Sequence, residues 1–126
     1  MEKLLLVCLG GALGSGTRYL VGHWSVTKLG TAFPWGTLAV NVIGCFAIAL
    51  VMHVSSVKPE FQLNWRLFVT TGLLGGFTTY SAFNQETLSY FETGELAKAF
   101  GYAAVTLLAG LAAGYAGLNA SRAMFG

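Results

Sequence analysis

The sequence predicts an all-α membrane protein with four transmembrane helices per subunit, the third broken in mid-span. Three observations predict it. Charged residues make up 10% of the chain and apolar ones 55%, against about 25% and 45–50% in soluble domains, too few charges to coat a water-facing surface. The charges that remain divide the chain into uncharged windows, residues 4–17, 29–57, 67–85 and 99–121, where one bilayer crossing takes about 20 residues, with a range of about 17–25. The third window carries Gly75-Gly76-Phe77-Thr78-Thr79-Tyr80-Ser81-Ala82-Phe83. Irregular backbone at that depth survives only inside protein or beside a water or ion path, because unpaired amides and carbonyls are costly in hydrocarbon.

The first helix is expected near 3–22. Its uncharged window is short and reaches spanning length only if Arg18 lies near the interface or in a protein-lined vestibule. Lys3 before an apolar run resembles a signal peptide, but glycines interrupt the run and three further spans follow, so it reads as a span. The second helix is expected near 31–54 and the fourth near 97–121. The third, near 66–90, is expected to break at Gly75 and Gly76, whose freedom loosens the hydrogen-bond ladder. Tyr19, Trp24, Trp35 and Trp65 fall near predicted span ends, where aromatic belts sit. The chain reads as one integral membrane domain, 1–126, multi-pass in the lipid bilayer. Cys8 and Cys45 read as small apolar side chains without metal-like spacing. A net charge of +2 is too small to suggest nucleic acid. No nucleophile–base pair or phosphate loop appears, so no enzyme activity is expected.

Lys and Arg bias normally orients a membrane chain. Here Lys3, Lys58, Arg66 and Arg122 fall on one side and Arg18, Lys28 and Lys98 on the other. So weak a bias fits either a single orientation or insertion both ways as an antiparallel pair. The small-xxx-small pairs Gly10/Gly14, Gly72/Gly76, Gly110/Gly114 and Ala113/Gly117 favour close helix packing and an oligomer.

Polar groups inside the spans are the site candidates. Asn41 lies near the middle of the second span, with Thr37 and Gly44 on the same face. Its amide serves either an interhelical hydrogen bond or a passing ion. Arg18 either snorkels, draws anions into a vestibule, or pins the broken helix through its carbonyls. Glu86 is a carboxylate inside the span or at its rim. Thr78, Thr79 and Ser81 can bond freed backbone groups or line a path. Tyr80 and Phe83 share a face, and ring edges turned to a path suit a small anion.

The chain resembles the Fluc (CrcB) family of fluoride channels over nearly its whole length. The resemblance rests on Gly10-Gly11-Ala12-Leu13-Gly14 with Arg18-Tyr19, Gly36-Thr37-Leu38-Ala39-Val40-Asn41-Val42-Ile43-Gly44, and Gly72-Leu73-Leu74-Gly75-Gly76-Phe77-Thr78-Thr79 with Ser81 and Phe83. The fourth span matches through Gly101-Tyr102, Thr106 and its small residues. The resemblance implies an antiparallel, dual-topology homodimer in the inner membrane, with two passive pores that export fluoride and so give resistance to it. It implies Asn41 as a pore-lining donor and Tyr80 and Phe83 at the aromatic-box positions. Ser81 and Thr106 would belong to a polar track, with Tyr102, Glu86 and Thr37 nearby and Arg18 at the vestibule or bracing the third helix. Carbonyls of Gly75 and Thr78 would hold a central structural Na+. The family motif has Phe where this chain has Tyr80. The alternative reading is a small multidrug-type proton-coupled exporter, which wants a carboxylate deep in the first span, and residues 4–17 contain none.

Overall fold

The computed structural model describes all residues 1–126, and the chain is helical almost throughout. Helix α1 (Glu2–Leu29) runs through Arg18 without interruption. Its 28 residues extend about 42 Å at 1.5 Å per residue, so Arg18 lies well inside the helix, and the first span is longer than the expected 3–22. Glu2 in the first turn and Lys28 in the last complement the helix dipole. The helix stops at Gly30, whose φ of 78° is open to glycine at little cost. Helix α2 (Trp35–Val57) starts after Pro34, four residues later than expected, and ends before Lys58-Pro59. Proline fits a helix start and opposes its continuation.

The third span begins as α3 (Leu63–Leu67), widens into a π-helical stretch (Phe68–Leu74) and closes with the short α4 (Gly75–Phe77). The Gly75 N–H reaches the Thr70 carbonyl five residues back. After an interruption the span resumes as α5 (Tyr80–Glu92), and α6 (Leu96–Phe125) forms the fourth crossing. Glu95, just before α6, pairs with Lys98 at 2.7 Å, a hydrogen bond that holds its carboxyl below the usual carboxylate range.

The break is not where the glycines are. Gly75 is helical at φ −62°, ψ −39°, and Gly76 lies inside α4. The extended residues are Thr78 (φ −84°, ψ 158°) and Thr79 (φ −153°, ψ 112°). The glycines serve packing instead. A Cβ at Gly76 would stand 2.5 Å from the Gly11 carbonyl oxygen, one at Gly72 would stand 2.9 Å from that of Val7, and one at Gly10 would stand 2.5 Å from that of Phe68. Helix α1 and the first half of the third span therefore touch backbone to backbone, as small residues allow in lipid.

The break also lets the span change partners. Its first half packs on α1, its second half packs on α6, and α2 lies along α6 in the largest contact of the fold. The few buried apolar side chains include Val40, Val54, Val69, Leu74, Phe77 and Tyr102. Many large ones face outward, among them Leu5, Leu9, Leu13, Leu107, Leu108, Leu111 and Tyr115, each more than half exposed. Such a surface suits lipid or a partner, not water. Helices α1, α2 and α6 are each long and apolar enough to cross a bilayer. Helix α5, at 13 residues, covers only about 20 Å, so the third crossing needs both halves. The protein is a multi-pass membrane protein with four helical crossings, the third bent.

Candidate functional site

Of the two residues of the break, Thr79 is held from α2. Asn41 donates from Nδ2 to the Thr79 carbonyl at 3.0 Å, and its Oδ1 accepts the Thr79 N–H at 2.8 Å. One side-chain amide thus replaces both backbone bonds that Thr79 loses by leaving the helix, groups that would otherwise be expensive to bury. Asn41 keeps a second N–H. Thr79 caps the next half-helix through Oγ1, which accepts the Ala82 N–H at 3.2 Å and lies 3.3 Å from Ser81 Oγ. Thr78 folds back, its N–H and its Oγ1 both donating to the Leu74 carbonyl, at 3.0 and 2.9 Å.

From the other side, Arg18 Nε donates to the Gly76 carbonyl at 3.0 Å. That places a guanidinium against the end of the first half-helix, where freed carbonyls carry partial negative charge. No side-chain donor of this chain reaches the carbonyls of Gly75 or Thr78.

Beside the break lies a cavity of about 410 Å³, open to the surface of the chain between α2, the π-helical stretch, α5 and α6. Asn41, Gly75, Thr78, Tyr80, Phe83 and Thr106 are in its walls. Tyr80 and Phe83 have ring centroids 5.6 Å apart, and Tyr80 is 77% exposed in the single chain, so that wall is open on its outer side. Thr106 Oγ1 is buried with no hydrogen-bond partner in the chain.

Farther along α5 a second polar group assembles. Thr37 Oγ1 donates to Glu86 Oε1 at 2.6 Å, and the Tyr102 hydroxyl approaches Glu86 Oε2 at 3.4 Å. Thr37 spends its hydroxyl on α5 rather than on its own helix. The buried Tyr102 ring meets Phe33, Phe83 and Tyr90 edge to face, at centroid distances of 5.3, 5.0 and 6.4 Å. Phe83 thus touches both the break cavity and the Glu86 cluster. Thr37 and Glu86 also wall a separate cavity of about 310 Å³ under the α1–α2 loop.

The structure therefore brings Asn41, Tyr80, Phe83 and Thr106 to one cavity, with Ser81 beside Thr79. Thr37, Glu86 and Tyr102 form a neighbouring cluster, and Arg18 sits behind the break. Sequence reasoning passed over Thr79 as the hub of the bracket, and Phe33 and Tyr90 around Tyr102. A Thr directly before a helix-forming run is an N-cap signal, and it could have located both Thr79 and the break.

The family described as "CrcB-like protein, Camphor Resistance (CrcB)" matches residues 5–118. A relative from Rhizobium etli named "Fluoride-specific ion channel FluC" is 47% identical over 124 residues, covering 98% of this chain and 99% of its own. One of the same name from Anaeromyxobacter dehalogenans is 52% identical over 116 residues, covering 92% of each. Another, from Agrobacterium fabrum, is 45% identical over 125 residues, covering 99% of this chain and all of its own. With similarity sustained through every span and through the bracketed break, the chain belongs to the CrcB (FluC) family.

Proposed function

We propose that this protein is a passive fluoride-selective channel of the bacterial inner membrane, which lets F− leak out of the cell and so confers resistance to it. The observation that carries this reading is the near-full-length identity to chains named as fluoride-specific channels. The working unit is an antiparallel, dual-topology homodimer with two pores, supported by the weak charge bias, the outward apolar faces and the open wall at Tyr80.

Fluoride is small and strongly hydrated, so entry must replace its water with close donors. The second N–H of Asn41, the hydroxyls of Ser81 and Thr106, and the ring edges of Tyr80 and Phe83 are such donors. Thr106 is suited to the task because its hydroxyl is spent on nothing else in the chain. None of these groups carries a full positive charge, which would trap the ion; conduction needs binding that can be reversed. Arg18 supplies its charge from behind the break, attracting anions without touching the cavity. Thr37 and Tyr102 bring hydroxyls to the neighbouring cluster, and Glu86 is the acceptor that orients them. The same cluster argues against proton-coupled export, since Glu86 is tied to hydroxyls on α2 and α6 and residues 4–17 of the first span hold no carboxylate.

Backbone carbonyls of Gly75 and Thr78 suit a structural Na+. Both residues border the cavity, their carbonyls take no side-chain donor of this chain, and a hard cation prefers oxygen ligands. Bound there, the ion would offset the partial negative charge of the break. Two copies would supply the full set of oxygens.

Reconstituted protein tested in proteoliposomes is expected to release fluoride, read with a fluoride electrode, while chloride stays inside. Proton-dependent cation uptake without fluoride release would overturn the reading.

A further inference from the structure

Asn41 and Gly44 lie one turn apart on the same face of α2. Between them they meet both residues of the break, Asn41 through its hydrogen bonds to Thr79 and Gly44 through contact with Thr78. A Cβ added at Gly44 would collide with Thr78 Cγ2; the next atom, Thr78 Cβ, stands at 3.6 Å, and nothing else lies within 4 Å. This differs from Gly14, Gly76 and Gly117, where an added Cβ would strike the backbone of Leu73, Gly11 and Phe46. The Thr78 methyl cannot simply rotate away. Its Oγ1 is bonded to the Leu74 carbonyl at 2.9 Å, so turning the side chain would break that bond inside the membrane. Either that bond is lost or the backbone moves, and the residue that follows is the one Asn41 holds.

We propose that Gly44 is a positioning residue for the ion path: the Thr78 methyl seated on its bare Cα sets where the extended pair Thr78–Thr79 lies, and hence where the break's carbonyls and the start of α5 point. The inference rests on the channel reading above and adds to it that α2, through Asn41 and Gly44 together, is the template that shapes the interruption. A path lined by this segment should then respond to one methyl group at Gly44.

The experiment is a rescue. Gly44→Ala should lower fluoride efflux from proteoliposomes by about tenfold or more, since overpacking a close contact displaces backbone. It should also lower the thermal midpoint of the detergent-solubilised protein, read by tryptophan fluorescence. Adding Thr78→Ser deletes only the colliding methyl and keeps the hydroxyl that bonds Leu74. The double variant should conduct within about twofold of Thr78→Ser alone, with its midpoint restored likewise. Adding Thr78→Val instead keeps a methyl and loses the hydroxyl, and should not rescue. Thr78→Ser should also fail to rescue Gly117→Ala, whose collision is with Phe46. Normal efflux from Gly44→Ala, or a deficit that Thr78→Ser leaves in place, would overturn the proposal. A wild-type protein that passes no fluoride would refute the channel reading instead, and the thermal midpoints would then decide whether Gly44 positions the break.

Discussion

Asn41 does two jobs with one amide, and they can be separated by substitution. Asn41→Ala removes both bonds to Thr79 and leaves a half-buried N–H and C=O unpaired, at up to about 1–3 kcal/mol each. It should lower the thermal midpoint and abolish fluoride efflux together. Asn41→Asp can still accept the Thr79 N–H but, when ionised, has no hydrogen to donate to the Thr79 carbonyl and sets a negative charge in the cavity wall. Efflux should disappear while more of the midpoint is retained than in Asn41→Ala. Equal midpoints in the two variants would mean that the Thr79 N–H bond contributes nothing. Tyr80 is the position where this chain departs from the motif it resembles. Its ring is 77% exposed in the protomer, so losing a hydroxyl should leave folding unchanged. Tyr80→Phe should speed fluoride efflux several-fold, and unchanged efflux would show that the phenol is neutral.

The third span depends on a cap as much as on a bracket. Thr79→Val should cost about 1 kcal/mol by removing the oxygen that accepts the Ala82 N–H, whereas Thr79→Ser keeps it. A lower thermal midpoint for Val and an unchanged one for Ser would establish the cap. Much of this element was legible in the chain: the four crossings, the interruption of the third, and the polar groups gathered near it follow from charge spacing and residue type. The position of the interruption was not. Gly75-Gly76 is the more conspicuous breaker, yet both residues are helical, and the α1 backbone lies directly against Gly76. The π-helical stretch Phe68–Leu74 left no mark in the sequence, since Val69, Leu73 and Leu74 are ordinary helix-compatible residues. Arg18 looked like a charge near a helix end because the first span was expected near 3–22, whereas α1 continues to Leu29.

For the whole molecule, the single chain buries few side chains, and much of its apolar surface faces outward. Lipid alone could cover that surface; in the proposed two-copy assembly a second copy would close the open cavity wall at Tyr80. Purified protein in mild detergent should crosslink as a two-copy species. A C-terminal tag should label from both faces of the cell membrane, as an antiparallel pair requires. Labelling from one face alone would exclude dual topology whatever the fluoride flux.

Composition and spacing alone determined that this protein lives in a bilayer, crosses it four times and interrupts its third crossing, because too few charges remain to coat a water-facing surface and uncharged windows of spanning length must satisfy their backbone within helices. Residue type also determined which side chains could serve a small anion. Only the tertiary structure decided how they are used: Asn41 on the backbone of Thr79, Arg18 on that of Gly76, Thr37 on Glu86, and Gly44 under the methyl of Thr78. These are contacts between segments far apart in the chain, fixed by how closely α1 and α2 approach the broken span, and no local pattern encodes that distance.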